Sequence, residues 1–503
     1  MSDARRQAGS VIARNTLYNV AGQFLPLLVG LASVPIIVRS LGAQRFGLLG
    51  LVWAVLGYFS SFDLGLGRAT TKFMVEALNQ GDAVRTRRVA GLSVAAQGAL
   101  GLAAGSVLAG LTPFLVGSWL QLPPSLRAEA RGAFLLLAAS IPVVVISLAL
   151  RALLEAAQRF DLINLVRIPS SIATFLIPAV VAPLGVRLPG IVLLLLGVRI
   201  VTCWLTALLI RTALPGFRWE VTRDWALFRS LLGYGGWVAV SNWVGPLFGY
   251  LERFVVGSML GLTALAHYVA PQEGISRLTI VPASLATALF PAVVVPAGAR
   301  DLGDTEALVG RLSRYLLLVF APPLVVVIGF ARELMHVWLG AGYVAESAPV
   351  LQILAAGLLI NALAHLPYVC LLGRGRPDLP AKFHLLELPL FVGLVLVLVG
   401  RVGVRGAAIA WSARVTLDAA LLFGAAFRVG ALRARALHEA RGRDATLAVL
   451  CLGITIVGLG PVLTSSLSGR IALAVVALTA FAYYGWRFAL NEPERAELRA
   501  VVA

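Results

Sequence analysis

Nine charged side chains stand inside long apolar runs of this chain: Asp63, Arg199, Glu252, Arg253, Glu273, Arg277, Glu387, Arg414 and Asp418. A charge at the centre of a membrane helix costs about 2.5–3.5 kcal/mol on insertion scales, so such residues are rare and tend to be functional. Two kinds of chemistry fit them. An arginine in a wet cavity grips an anion through its planar fork of donors. A buried carboxylate can trade a proton. Arg199 is the sharpest case, because its own run holds no acidic residue to neutralise it. Glu273 and Arg277 stand four residues apart on one helical face, as do Arg414 and Asp418. Internal ion pairing therefore competes with ligand contact at those four positions. Glu252 and Arg253 are adjacent and point about 100° apart, toward different partners. Glu252 and Glu387 are the candidates for ion coupling. Asp63, near the end of its run, reads as a cap or corner residue.

The elements that must position these charges are membrane helices. The chain has 503 residues, 59% hydrophobic and 13% charged, with mean hydropathy +0.89. A soluble domain is about 25% charged. Apolar runs of about 20 residues, enough to cross a bilayer, recur from end to end. Fourteen are expected, the first at 15–38 and the last at 470–490. With the N-terminus in the cytoplasm, 29 of the 42 basic residues fall on the cytoplasmic side, nine outside and four within spans. That bias predicts both termini in the cytoplasm. The net charge of +18 is spread through short connections, so it is topological and implies no nucleic-acid partner. His267, His336, His365 and His384 show no metal-ligand spacing. Cys203, Cys370 and Cys451 lie in apolar runs without a CxxC pattern, so neither a metal nor a disulfide frame is expected. The first apolar run is long enough to be a permanent span, not a signal peptide.

A repeat organises the runs. "QRFDL" at 158–162 returns as "GRPDL" at 375–379, "GVR" at 185–187 returns at 403–405, and "LG" at 41–42 returns at 260–261. Three short matches in order, at offsets of 217–219, mark a duplicated unit. The expected fold is an all-α membrane protein of about fourteen helices. It has a lobe at 1–210, a cytoplasmic linker at 211–230, a parallel six-helix lobe at 231–430, and two further helices with a tail at 431–503. Six spans per repeat place the pseudo-symmetry axis along the membrane normal. The two basic-x-acidic marks are equivalent corners, read either as anchors of a tight turn or as a latch on the cytoplasmic side. The repeat sets Arg199 roughly opposite Arg414, so both are expected to line a cavity, with Arg253 and Arg277 as further candidates.

Longer stretches carry a resemblance. "RNTLYNVAGQFLPLLVGLASVPIIVRSLGAQRFGLLGLVW" (14–53), "FDLGLGRATTKFMVEA" (62–77), "SMLGLTALAHY" (258–268) and "ELMHVWLGAGYVAESAPVLQIL" (333–354) are similar to the bacterial oligosaccharide flippases. These are the polysaccharide transporter branch of the multidrug/oligosaccharidyl-lipid/polysaccharide superfamily. The resemblance implies movement of an undecaprenyl-pyrophosphate-linked sugar across the bacterial inner membrane by alternating access. It also implies coupling to a proton or sodium gradient, no other cofactor, and partners among membrane lipids and polysaccharide polymerase or assembly proteins. A lipid II flippase and a multidrug/cation antiporter share this architecture, although four arginines within spans would repel organic cations. An enzyme is not expected: loops are short, and no GxxxxGK[ST] motif offers a nucleotide site.

Overall fold

The computed structural model describes residues 2–60, 65–214, 219–220, 224–234, 236–286, 302–433, 442–490, 492 and 494–495, apart from the side chains at 2–24, 232–242 and 302–306. Among them there is no strand. Asp63 lies outside the described residues.

Helix α1, Ser2–Phe59, is broken at Gly42 (φ 74, ψ 166), a conformation that costs glycine least. Its apolar part, Leu25–Phe59, would be about 50 Å long as one straight helix, against a hydrocarbon core of about 30 Å. Two expected spans share this element. Eleven helices among the described residues are long and apolar enough to cross a membrane. The expected seventh and eighth spans fall on α8, Gly236–Met259, and α9, Gly261–Ser276, and the end of the eighth lies outside the described residues. Fourteen therefore stays a proposal.

The first compact unit covers 1–270 and the second 271–503. In the first, α2 (Leu66–Asn79) buries Leu66, Ala69, Thr70, Met74 and Ala77 at helical spacing. Asp82 caps α3 (Ala83–Phe114) by accepting from the Arg85 amide at 2.8 Å. Gly101 and Gly105 let α3 approach α4 (Pro124–Ala156) closely, since a Cβ there would meet Pro142 or the Ala138 carbonyl. The hairpin of α4 and α5 (Phe160–Val181) then packs with α6 (Leu188–Ala213). The short α7, Trp225–Tyr234, precedes α8. Helices α8 and α9 close on the far half of α1, where Gly47, Gly50 and Gly57 leave no room for a Cβ against Leu262, Val269 and Tyr250.

The second unit holds α10 (Leu302–Tyr315), α11 (Ala321–Gly329), α12 (Ala331–Leu339), α13 (Ala341–Gly373), α14 (Asp378–Val402) and α15 (Val404–Arg428). Then come α16 (Gly442–Gly453) and α17 (Leu467–Tyr484). Helix α15 packs on both α13 and α14. The two extra C-terminal helices join this unit through Leu317, Ala321 and Val325 against Val449, Ile456 and Phe481. Arg470 at the start of α17 pairs with Glu333, and fully buried Arg314 pairs with Glu494.

The repeated motifs share backbone conformation. Gly42 and Gly261, Gln158 and Gly375, and Gly185 and Gly403 all have positive φ. At the two basic-x-acidic corners the likeness extends to hydrogen bonds. Arg159 N donates to the Leu154 carbonyl and Gln158 N to that of Glu155, each at 3.0 Å. Arg376 N donates to Leu371 and Gly375 N to Leu372, also at 3.0 Å. Both are Schellman caps. Each is closed by its own ion pair, Arg159–Asp161 at 2.8 Å and Arg376–Asp378 at 2.9 Å. The marks are thus local closures of helix ends.

Candidate functional site

A cavity of about 300 Å³ lies inside the first unit, among α4, α5, α6 and Ser60. Each helix contributes one polar stripe with helical spacing. From α4 come Ser147 and Arg151, from α5 Arg167, Ser170, Ser171 and Thr174, and from α6 Arg199, Thr202 and Thr206. Among the described residues the guanidiniums of Arg199 and Arg167 make no hydrogen bond or ion pair. Arg151 Nε donates to Glu155 Oε1 at 2.7 Å.

The hydroxyls complete the chemistry. Thr202 donates to the Arg199 carbonyl at 3.0 Å, Thr206 to Thr202 at 2.7 Å, Thr174 to Ser170 at 3.0 Å and Ser147 to Val143 at 2.7 Å. Those four protons are committed to backbone, so a bound anion would draw its donors from the guanidiniums and from the Ser170 and Ser171 hydroxyls. Three arginines, one of them paired with Glu155, surround a cavity of mixed polar and apolar lining, a donor set with the chemistry to hold an anion. The hydroxyl oxygens of the surrounding serines and threonines offset part of the cost of holding cations at membrane depth.

Of the four arginines expected to line a cavity, Arg199 lines this one. Arg253, in the same unit, is 2% exposed and donates from Nη1 to the Gly50 carbonyl at 3.3 Å, with its guanidinium over the Tyr250 ring. It ties α8 to α1. Its neighbour Glu252 is fully buried and accepts from the Tyr268 hydroxyl at 3.2 Å. In the second unit Arg277 and Glu273 form the i,i+4 pair at 3.2 Å. Arg414 hydrogen-bonds a carboxylate on the neighbouring helix, Glu387 Oε2 at 3.3 Å. Glu387 is 0% exposed, and Asp418 and His384 lie within electrostatic reach of the pair. Two carboxylates and one guanidinium make this cluster acid-rich, the opposite of the first unit's cavity.

Sequence reasoning missed Arg151 and Arg167, because basic residues near span ends read as topological anchors. A signal was present. Both stand eight residues from Arg159, one on each side, so a helical hairpin turning there sets them at equal depth, about 12 Å from the corner.

Residues 12–295 match the polysaccharide biosynthesis protein family. A protein of Shigella flexneri named for O-antigen transport is 28% identical over 82% of this chain and 96% of its own length. Among solved structures, the lipid II flippase MurJ in an inward closed conformation aligns with TM-score 0.72 at 12% identity, over 94% of this chain and 99% of that one. An inward-facing multidrug resistance MATE family transporter of the MOP superfamily aligns with TM-score 0.68 at 16% identity, over 83% and 95%. The structural likeness establishes the fold.

Proposed function

The chain belongs to the polysaccharide biosynthesis protein family, and from that premise we propose that it is a flippase for undecaprenyl-pyrophosphate-linked oligosaccharide. It moves this cargo across the bacterial inner membrane for polysaccharide or lipopolysaccharide assembly. The observation that carries the reading is the cavity in which Arg151, Arg167 and Arg199 converge. A diphosphate must be desolvated to cross, and charge-assisted hydrogen bonds from guanidiniums replace its water. The two repeated lobes open alternately to either side. Proton or sodium exchange drives the cycle, with buried Glu252 and Glu387 as the exchanging carboxylates. Polymerase and assembly proteins take the cargo outside. The same guanidiniums disfavour an organic-cation antiporter.

Both termini face the cytoplasm in this reading. Reporter fusions after Gly81 and Arg376 then read cytoplasmic, and one after Pro124 external; an external signal at Gly81 reverses the orientation. The cargo assignment is tested by complementing a flippase-null strain with Arg199→Gln. Losing one charged phosphate contact costs about 1.5–3 kcal/mol, roughly 10- to 100-fold in occupancy. Export should fall while membrane accumulation holds. Full export would remove Arg199 as a cargo ligand.

A further inference from the structure

One carboxylate, itself outside the cavity lining, pairs with a guanidinium of the arginine cavity, and helix stability does not explain it. Glu155 lies in the last turn of α4, where the helix dipole disfavours an anion. Its partner Arg151 is four residues N-terminal to it, the weaker order for an i,i+4 pair. What Glu155 gains is the 2.7 Å hydrogen bond from Arg151, with side chains 48% and 31% exposed, and Arg167 within electrostatic reach of both. The repeat supplies an independent comparison. In the second lobe, 217 residues on, Tyr368 and His384 stand where Arg151 and Arg167 stand, and Leu372 replaces Glu155. The carboxylate and the two guanidiniums occur together and are lost together.

We propose that Glu155 is a built-in competitor for Arg151, an internal anion that occupies the cavity's guanidinium until a diphosphate displaces it. This rests on the cavity being the cargo site. The three cavity guanidiniums together with the Glu155 carboxylate on Arg151 carry two net positive charges, matching the two negative charges of a diphosphate diester. A singly charged phosphate diester cannot balance them and gains less by displacing Glu155. Arg151 exchanges one carboxylate oxygen for one phosphate oxygen, so neither state leaves it orphaned. On release Glu155 retakes Arg151, which limits how tightly cargo is held. Discrimination comes from the repulsive element as much as from the attractive ones.

The test is isothermal titration of the full-length protein in nanodiscs, on the acid side of neutrality where inorganic pyrophosphate is chiefly a dianion and orthophosphate a monoanion, with each anion separately. Glu155→Gln should tighten pyrophosphate binding about two- to fivefold, the scale of a part-exposed ion pair. Orthophosphate should gain more, narrowing the preference between the two anions. In an Arg151→Gln background the same substitution should change nothing, because the competitor then has nothing to compete for. Unchanged affinity in Glu155→Gln overturns the proposal, as does a gain that persists in full without Arg151. If the parent protein binds pyrophosphate and Arg199→Gln weakens it while Glu155→Gln matches the parent, the competitor role alone falls. Absence of pyrophosphate binding in parent and variants removes the anion site and the competitor with it.

Discussion

Arg199 in the first unit and Arg414 in the second stand 215 residues apart, close to the repeat offset, yet they are buried in opposite ways. Arg199 faces a cavity with hydroxyls and two more guanidiniums around it. Arg414 is 9% exposed and hydrogen-bonds a fully buried glutamate on the adjacent helix. The neighbouring positions diverge in step. Glu387 corresponds to Ser170 and His384 to Arg167 at an offset of 217. A guanidinium at membrane depth needs a counter-charge or polar surroundings, and each lobe has taken one of those solutions. The two halves thus differ in charge: an arginine-lined cavity in the first and an acid-rich cluster in the second.

The largest expected effect separates these solutions directly. Arg414→Leu leaves Glu387 and Asp418 buried without their cation and should cost about 3–5 kcal/mol. The check is the thermal midpoint in detergent together with membrane accumulation. Glu387→Gln combined with Arg414→Leu should recover much of the loss. An Arg414→Leu protein as stable as Arg199→Gln would erase the contrast.

Arg167→Gln and Arg151→Gln should act on transport. Each should reduce export about tenfold, at the lower end of the range for a charged contact, and leave the midpoint near that of the parent. Quantified surface polysaccharide against protein level reads both quantities. A variant that loses accumulation in proportion to export would assign its arginine to folding.

The smallest effect concerns the two corners, alike in hydrogen bonding but different at the left-handed position. Gln158 holds φ 55 where the second lobe has Gly375 at φ 68. Left-handed backbone costs a side chain about 1–2 kcal/mol. Gly375→Gln should therefore lower the thermal midpoint by a few degrees, and Gln158→Gly should raise it or leave it level. A rise with Gly375→Gln would mean the corners are not equivalent in the unfolding transition.

Much of the architecture was legible in one dimension. Hydropathy, the charge bias and the three repeated motifs are local properties, and a bilayer forces apolar runs into helices because their backbone groups have no other partners. The corner motifs were readable because a Schellman cap and its ion pair lie within a few consecutive residues. Arg199 was readable because its own span holds no carboxylate, a fact of sequence. Which way each helix faces was not. Periodicity showed that Arg414 and Asp418 share a face, but packing of α15 on α14 decided that Glu387 would meet Arg414. Arg151 and Arg167 read as anchors until the hairpin of α4 and α5, packed against α6, brought them to the cavity that holds Arg199. A helix's rotation about its own axis is set by the side chains it meets on other helices, and those are chosen only when the bundle closes.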